Sequence, residues 1–244
     1  MSLVVKDIGI ILSVRKYSES SLIVKILSKE HGVYSGFIKG AASSRKNSAI
    51  YQIANLVDFA WKAKTSENLG FFKLELIKSS LAKIIFNNVK LSCINALFEV
   101  IQNNIFEREP HEDLFEDLLR FLENIDDDEQ KFLSNYVKLE LNLLKTLGYG
   151  LDLSKCAMTG KKDNLYFISP KTGRAACKEA AEKYQDKLLR LPEFLSKEES
   201  QIGKDDIFLG LNLTNFFLKK YLIEDNKKFF ELRSKIDDLI SKTS

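Results

Sequence analysis

Two hydrophobic rhythms divide the chain. Up to residue 77 the apolar positions fall in short runs: "DIGIILSV" (7–14), "SLIVKILS" (21–28), "GVYSGFIK" (32–39), "NLVDFAWKA" (55–63) and "GFFKLELI" (70–77). Each is rich in Val, Ile, Leu or Phe and is bounded by Gly, Ser, Asn or charged residues. Leu22, Val24 and Ile26 alternate around Lys25, and Val57, Phe59 and Trp61 alternate with Asp58 and Ala60. Period two puts one face in a core and the other in water, so the pattern predicts five half-buried strands. "SKEHG" (28–32) reads as a tight turn in which Gly32 is free to take a positive φ. Five short strands predict a small barrel. The gap at 40–54, with room for a helical turn at "SAIYQIA", fits an OB-fold. An SH3-like barrel competes, and counting strands does not decide between them.

After residue 80 the rhythm becomes helical. "NVKLSCINALFEVIQNNIF" (88–106) carries Leu91, Ile94, Leu97, Phe98 and Ile101 on one stripe. "HEDLFEDLLRFLENI" (111–125) follows Pro110 and has acidic residues in its first turn. "EQKFLSNYVKLELNLLKTLGY" (129–149) carries Phe132, Tyr136, Leu139, Leu143 and Leu147, with Gly148 as a stop. Helices are predicted again at 178–188, 204–223 and 226–241. The fold class is therefore α+β. An N-terminal five-stranded OB-fold barrel (1–80) precedes an α-helical bundle domain (81–244), interrupted by a non-helical segment around 152–180.

That segment, "CAMTGKKDNLYFISPKTGRAACKEA" (156–180), has the outline of a zinc ribbon. Cys156 is followed three places on by Thr159, and Cys177 by Ala180, where a ribbon would repeat cysteine. Cys93, beside the first helical stripe, reads as a small buried residue.

Composition narrows the classes. Of 244 residues, 45% are hydrophobic, with only three prolines, so the chain can bury a real core and long helices are expected. No apolar run reaches the length of a membrane span. The run Ile8–Val14 sits between Asp7 and Arg15 without a small-residue cleavage site, so it does not read as a signal peptide. Three cysteines, an odd number, point to a reducing cytoplasm. The net charge of +3 hides an asymmetry, +6 over residues 1–80 against −3 over the rest. A basic first third suits a polyanion, although a solvated basic surface would look the same.

Catalytic chemistry is thin. His31 falls in a turn and His111 at a helix start, neither with a nucleophile nearby in sequence. No phosphate-binding glycine loop occurs. The acidic run Asp126–Glu129 reads as a solvated connection. The informative stretch is "FIKGAASSRKNS" (37–48), where Lys39, Arg45 and Lys46 lie among Gly, Ala and Ser that can follow a phosphate backbone. Arg15, Lys16 and Tyr17 add to it from the first turn, Lys25 from the second strand, and Lys62 and Lys64 from the turn after Trp61. In an OB-fold these loops flank the nucleic-acid groove. Tyr34, Phe37 and Trp61 are possible stacking platforms for unpaired bases. Strand aromatics usually serve the core, so Trp61 and Phe37 are read as core first. Tyr34 stays in the candidate interface.

On "DIGIILSVRKYSESSLIVKILSKEHG" with "KGA" (39–41), "EREPHEDLF" (107–115), "LGYGLDLSKC" (147–156) and "YFISPKTGRAAC" (166–177), the chain resembles the bacterial recombination mediator family RecO. The similarity runs from residue 7 to about 195. It implies an OB-fold, a helical domain and a zinc ribbon inserted among its helices. It also implies a non-enzymatic, cytoplasmic, nucleoid-associated role in the RecF pathway. Such proteins bind single- and double-stranded DNA and anneal complementary strands. With RecR they help RecA load onto DNA coated by single-stranded-DNA-binding protein, in part by holding that protein's acidic C-terminal tail. The chain departs from the family at the ribbon, where Thr159 and Ala180 replace ligands and no zinc cofactor is expected. It departs again after "KGA", where "ASSRK" carries fewer arginines. The tail is expected in an apolar groove with cations on its rim, with Arg174, Lys219 and Lys220 as candidates by charge. An RNA-binding OB module shares the same electrostatics and is the alternative.

Overall fold

The alternation in the first third closes into a barrel. The structure is a computed structural model and describes residues 3–41, 49–65, 68–197, 202–223 and 226–242. Strands β1 (Leu3–Lys16), β2 (Leu22–Ser28), β3 (Gly32–Ile38), β4 (Leu56–Ala63) and β5 (Gly70–Lys78) form a closed sheet in the order β1-β2-β3-β5-β4. β3 pairs with β5 in parallel rather than with β4, and β4 returns to pair with β1. A simple meander would have paired β3 with β4, so this crossing marks the Greek-key OB-fold over the SH3-like alternative.

The interior is the face that the alternation predicted in β2 and β4. Val24, Ile26, Val57, Phe59, Trp61, Phe72 and Leu74 converge there, with Tyr34 among them. Each such side chain contributes roughly 2–3 kcal/mol by leaving water. The largest, Trp61, donates its indole N–H to the Ser35 carbonyl at 3.0 Å, so its polar edge is satisfied. Gly36 and Gly70 face each other where β3 meets β5. A Cβ on Gly70 would lie 2.4 Å from the Trp61 ring, and one on Gly36 would lie 2.8 Å from the Phe72 ring. Only glycine lets the two strands close over those rings.

The gap after β3 holds no helical turn in its described part. Residues 49–54 are turns, with Ile50 and Tyr51 against the barrel core and the Asn55 amide donating to the Ala49 and Ile50 carbonyls.

Packing divides the chain into two compact units, Met1–Asp126 with Lys228–Ser244, and Asp127–Lys227. In the first, the barrel is joined by α1 (Asn88–Asn104), α2 (Glu112–Glu123) and most of α7 (Lys227–Lys242). Asn87 caps α1 by accepting from the Lys90 N–H at 3.0 Å. Phe229, Ile236 and Ile240 of α7 are buried, and Lys228 reaches Glu99 of α1.

In the second unit α3 (Glu129–Thr146) packs against α6 (Lys204–Tyr221). Gly210 of α6 admits Val137 of α3, whose methyls would lie 3.1 Å from a Cβ there. The buried Thr214 hydroxyl donates to Glu140. The non-helical segment forms a three-stranded sheet, β7-β6-β8, from β6 (Leu165–Ile168), β7 (Ala175–Cys177) and β8 (Leu189–Arg190). The helix expected at 178–188 is one turn, α4 (Lys178–Ala181), running into a 3-10 turn at Glu182–Lys187. A further short helix, α5 (Glu193–Ser196), follows Pro192.

Candidate nucleic-acid interface

Register across the barrel lines up one row of outward side chains. Lys62 of β4 is opposite Phe71 of β5, Phe71 opposite Phe37 of β3, Phe37 opposite Ile23 of β2, and Ile23 opposite Arg15 of β1. The row crosses all five strands. Two copies of Gly-Phe-x-Lys, at Gly36–Lys39 and Gly70–Lys73, lie side by side in it. Each glycine lets the strands meet, and the next residue, a phenylalanine, then points outward.

Two exposed rings, Tyr17 and Phe71, meet the half-buried Phe37 as a result. Phe37 lies 4.9 Å from Tyr17 and 5.9 Å from Phe71, at interplanar angles of 62° and 38°. Tyr17 is 64% exposed and Phe71 46%, values that put both rings within reach of a ligand. The Lys39 ammonium sits 4.6 Å from the Phe71 ring centre. Beside Phe71 a hollow of about 320 Å³ is lined by Lys62, Lys64, Asn68 and Leu69.

Charge is sorted along the same unit. Lys29, Lys78 and Lys83 pair with Glu116, Glu123 and Asp126 at 3.2, 3.3 and 2.8 Å. The first two of those acids belong to α2, so the acidic helix neutralises the cations that face it. By contrast, among the described residues Arg15, Lys16, Lys39, Lys62 and Lys64 make no ion pair and are exposed. The positive potential is thus left around the aromatic row.

Three expected residues sit differently. Tyr34 is a core residue, 7% exposed, with its ring 5.0 Å from Trp61 and the Arg108 guanidinium 5.8 Å from its centre. Burial pushes its phenol pKa up, against the lowering pull of Arg108. It is closed to a base because residue 34 shares the inward parity of Gly36 and Ile38. Phe37, read as core, has the opposite parity and points out. Lys25 is half-buried and donates to the Gln102 carbonyl at 3.1 Å, holding the end of α1 on the barrel rather than joining the cationic rim. Arg45 and Lys46 lie outside the described residues. Phe71 was missed, although its signal was present: in "GFFKLE" it shares parity with Lys73 and Glu75, whereas Phe72 shares it with Leu74.

The second unit carries a separate groove of about 580 Å³. Leu141, Leu151, Leu153, Phe194 and Leu195 form its apolar lining, and Lys138, Lys145 and Lys197 its rim. Arg174, Lys219 and Lys220 do not line it. The Arg174 guanidinium is 3.5 Å from Asp152, and Lys220 donates to the Pro170 carbonyl at 2.7 Å, so both brace the turn between β6 and β7. Lys219 is exposed in the last turn of α6.

The ribbon positions converge without a ligand set. Cys156, Cys177 and Ala180 share one apolar cluster with Phe167, and Thr159 lines a hollow with Cys177 and Ala180. Two thiols do not satisfy a tetrahedral zinc ion, and the residues present do not fit the metal. No group of three or more His, Cys, Asp or Glu that could hold a metal occurs among the described residues. The thiols are held by hydrogen bonds instead. The Cys177 N–H donates to the Cys156 sulfur at 3.1 Å. Burial raises the Cys156 pKa, but bonds from Thr159 and Cys177 outweigh it and bring the value down to about 6. Burial pushes Cys177 up.

The first unit is thus an OB barrel with a cationic, aromatic outer row, joined to helices. The family model described as Recombination protein O N terminal matches residues 1–80, and Recombination protein O C terminal matches residues 86–228. The DNA repair protein RecO of Rickettsia canadensis is 41% identical over 223 residues, 91% of each chain. That of Wolbachia sp. subsp. Drosophila simulans is 41% identical over 235 residues, 94% of this chain and 97% of its own. The chain belongs to the RecO family. No helix among its described residues is long and apolar enough to cross a membrane.

Proposed function

We propose that this chain is a non-catalytic DNA repair and recombination mediator, which binds single- and double-stranded DNA on the outer face of its barrel and promotes annealing. The carrying observation is the cluster of cations around the Tyr17–Phe37–Phe71 row that make no ion pair among the described residues, whereas α2 neutralises Lys29 and Lys78. Phosphate contacts of this kind carry no sequence information, so binding is independent of sequence. Neutralising both backbones lowers the repulsion between complementary strands. The finer roles follow the family: action in the RecF pathway at the nucleoid, with RecR, to load RecA on DNA coated by single-stranded-DNA-binding protein. The acidic C-terminal tail of that protein fits the groove of the second unit, where Lys138, Lys145 and Lys197 rim an apolar floor.

The test is a titration of a fluorescent single-stranded oligonucleotide at several salt concentrations, with an annealing assay against its complement. Tight binding with a steep negative salt slope and accelerated annealing support the reading. An RNA competitor that displaces the DNA at far lower concentration would make the chain an RNA-binding module. No binding at low salt would overturn the DNA reading for the isolated chain.

A further inference from the structure

The cations of the barrel face explain why a polyanion binds there, but they do not explain the rings. Exposed aromatic side chains gain nothing from phosphate. A phenylalanine at an outward strand position, 46% exposed, is an expense to solubility unless something covers it. Tyr17, Phe37 and Phe71 come from three different places: the β1–β2 turn, β3 and β5. The fold brings them into one contiguous patch through the Gly36–Gly70 pairing. Neither contact in the patch is face to face, so no ring is covered by a parallel neighbour. Register puts Arg15 and Lys62 at the two ends of the row, Lys39 sits over the Phe71 ring, and Lys64 lines the hollow beside it. Rings in the middle with cations on both flanks match a single strand whose bases turn inward and whose phosphates turn outward.

We infer that the Tyr17–Phe37–Phe71 row is a base-stacking platform that makes the barrel face selective for unpaired nucleotides. The inference rests on the DNA-binding reading above and adds the ligand's strandedness to it. Stacking takes the flat face of a base and leaves its Watson–Crick edge open. A strand held in this way is still able to pair with its complement. Once paired, its bases stack on each other and withdraw from the rings. The duplex then keeps only the phosphate contacts, and the protein's hold on it weakens. The row thereby favours the reactant of annealing over its product. Duplex DNA, with its base faces already covered, gains nothing from the rings, and neither does a strand that lacks bases.

The test uses the full chain and three probes of equal length: an oligothymidine, an abasic sugar–phosphate strand and a duplex. Wild type should bind the oligothymidine roughly tenfold or more tighter than the abasic strand, about the effect of one stacked base. Tyr17→Ala with Phe71→Ala should remove that preference. It should leave affinity for the abasic strand and the duplex, and the salt slope, within about twofold of wild type. Phe71→Trp should keep the preference, which separates a stacking role from a folding defect. Equal binding of oligothymidine and abasic strand by wild type, or a preference that survives the double substitution, would overturn the inference while leaving DNA binding intact. If no probe binds at low salt, the DNA reading itself fails and takes this one with it.

Discussion

The hydroxyl of Thr159 lies 3.4 Å from the sulfur of Cys177, at a place where a zinc ribbon would put two thiolates around a metal. The hydrogen bond holds the loop that an ion would otherwise hold, and Phe167, Ala176 and Ala181 pack behind it. The chain should therefore purify with no stoichiometric zinc, and a chelator should leave its melting temperature unchanged. Because Thr159 and Ala180 both face the hollow beside Cys177, Thr159→Cys with Ala180→Cys should create a four-thiolate site. That variant should bind about one zinc per chain and gain stability on loading. Metal analysis by mass spectrometry checks both halves, and zinc in the wild-type chain at one per molecule would sink the idea.

Gly32 packs against the backbone of the segment leading to α2. Its φ is +79°, and a Cβ there would lie 2.2 Å from the Glu109 carbonyl oxygen. Gly32→Ala should cost about 2–4 kcal/mol, combining left-handed strain with a clash against backbone that has no rotamer to yield. Gly40 has φ +70°, and a Cβ there would meet no atom of the described residues within 4 Å, so Gly40→Ala should cost only about 1–2 kcal/mol. Urea unfolding of both variants isolates the clash, which equal losses would refute.

The turn at Gly32 was legible because a glycine ends "SKEHG" between two alternating runs. What it packs against was not, because Glu109 is distant in sequence. The same limit recurs elsewhere. Period two marked the strands and even their inward faces, yet Tyr34 was misplaced because "GVYSGFIK" has glycines on the face that decides its parity. Helical stripes located α1, α2 and α7, but a stripe says only that a face is buried. It does not show that α7 packs with the unit of the barrel rather than with α3 and α6. Charge counting found the basic third of the chain. Only the fold shows that α2 neutralises Lys29 and Lys78, while the cations of the aromatic row make no ion pair among the described residues.

Asp7 of β1 organises the turn between β2 and β3. Its carboxylate accepts from the Ser28 hydroxyl, from the Glu30 N–H at 2.8 Å and from the Ile8 N–H at 2.8 Å, and lies 3.2 Å from the His31 ring nitrogen. Burial alone would raise its pKa, but these bonds together hold it below the usual carboxylate range. A depressed folded pKa adds stability above the unfolded value, about pH 4, that is lost as pH falls through the folded value. Asp7→Asn should thus be about 1–3 kcal/mol less stable than wild type at pH 7. The gap should close as the pH is taken well below 4. Denaturation at pH 7 and pH 3 gives the comparison, and a gap of equal size at both would remove Asp7 from this role.

The cations of the barrel face should be countable by salt. For a single strand, the logarithm of affinity falls with the logarithm of salt at about 0.7 per phosphate neutralised. Lys39→Gln, Lys62→Gln and Lys64→Gln together should flatten the slope by roughly 2. Lys29→Gln, which loses only its partner Glu116, should leave the slope unchanged. The same titration run on two unrelated base sequences should give equal losses. A loss confined to one sequence would mean that these lysines read bases.

The groove of the second unit makes a claim independent of DNA. Leu141, Leu151 and Leu153 are half-buried rather than buried, which leaves an apolar floor facing solvent between Lys138, Lys145 and Lys197. A floor of that kind takes apolar side chains, and the rim favours carboxylates next to them, so an acidic peptide ending in apolar residues is the matching ligand. Lys138→Glu with Lys145→Glu reverses two charges of the rim without touching the floor. It should weaken binding of such a peptide about tenfold or more and make the residual binding insensitive to salt. Leu153→Asp should weaken it through the floor. Neither should change the slope for single-stranded DNA, because the cations of the aromatic row belong to the other unit. Fluorescence polarisation with a labelled peptide measures the first effect and the oligonucleotide titration the second. Peptide binding unchanged in both variants would move the tail site elsewhere.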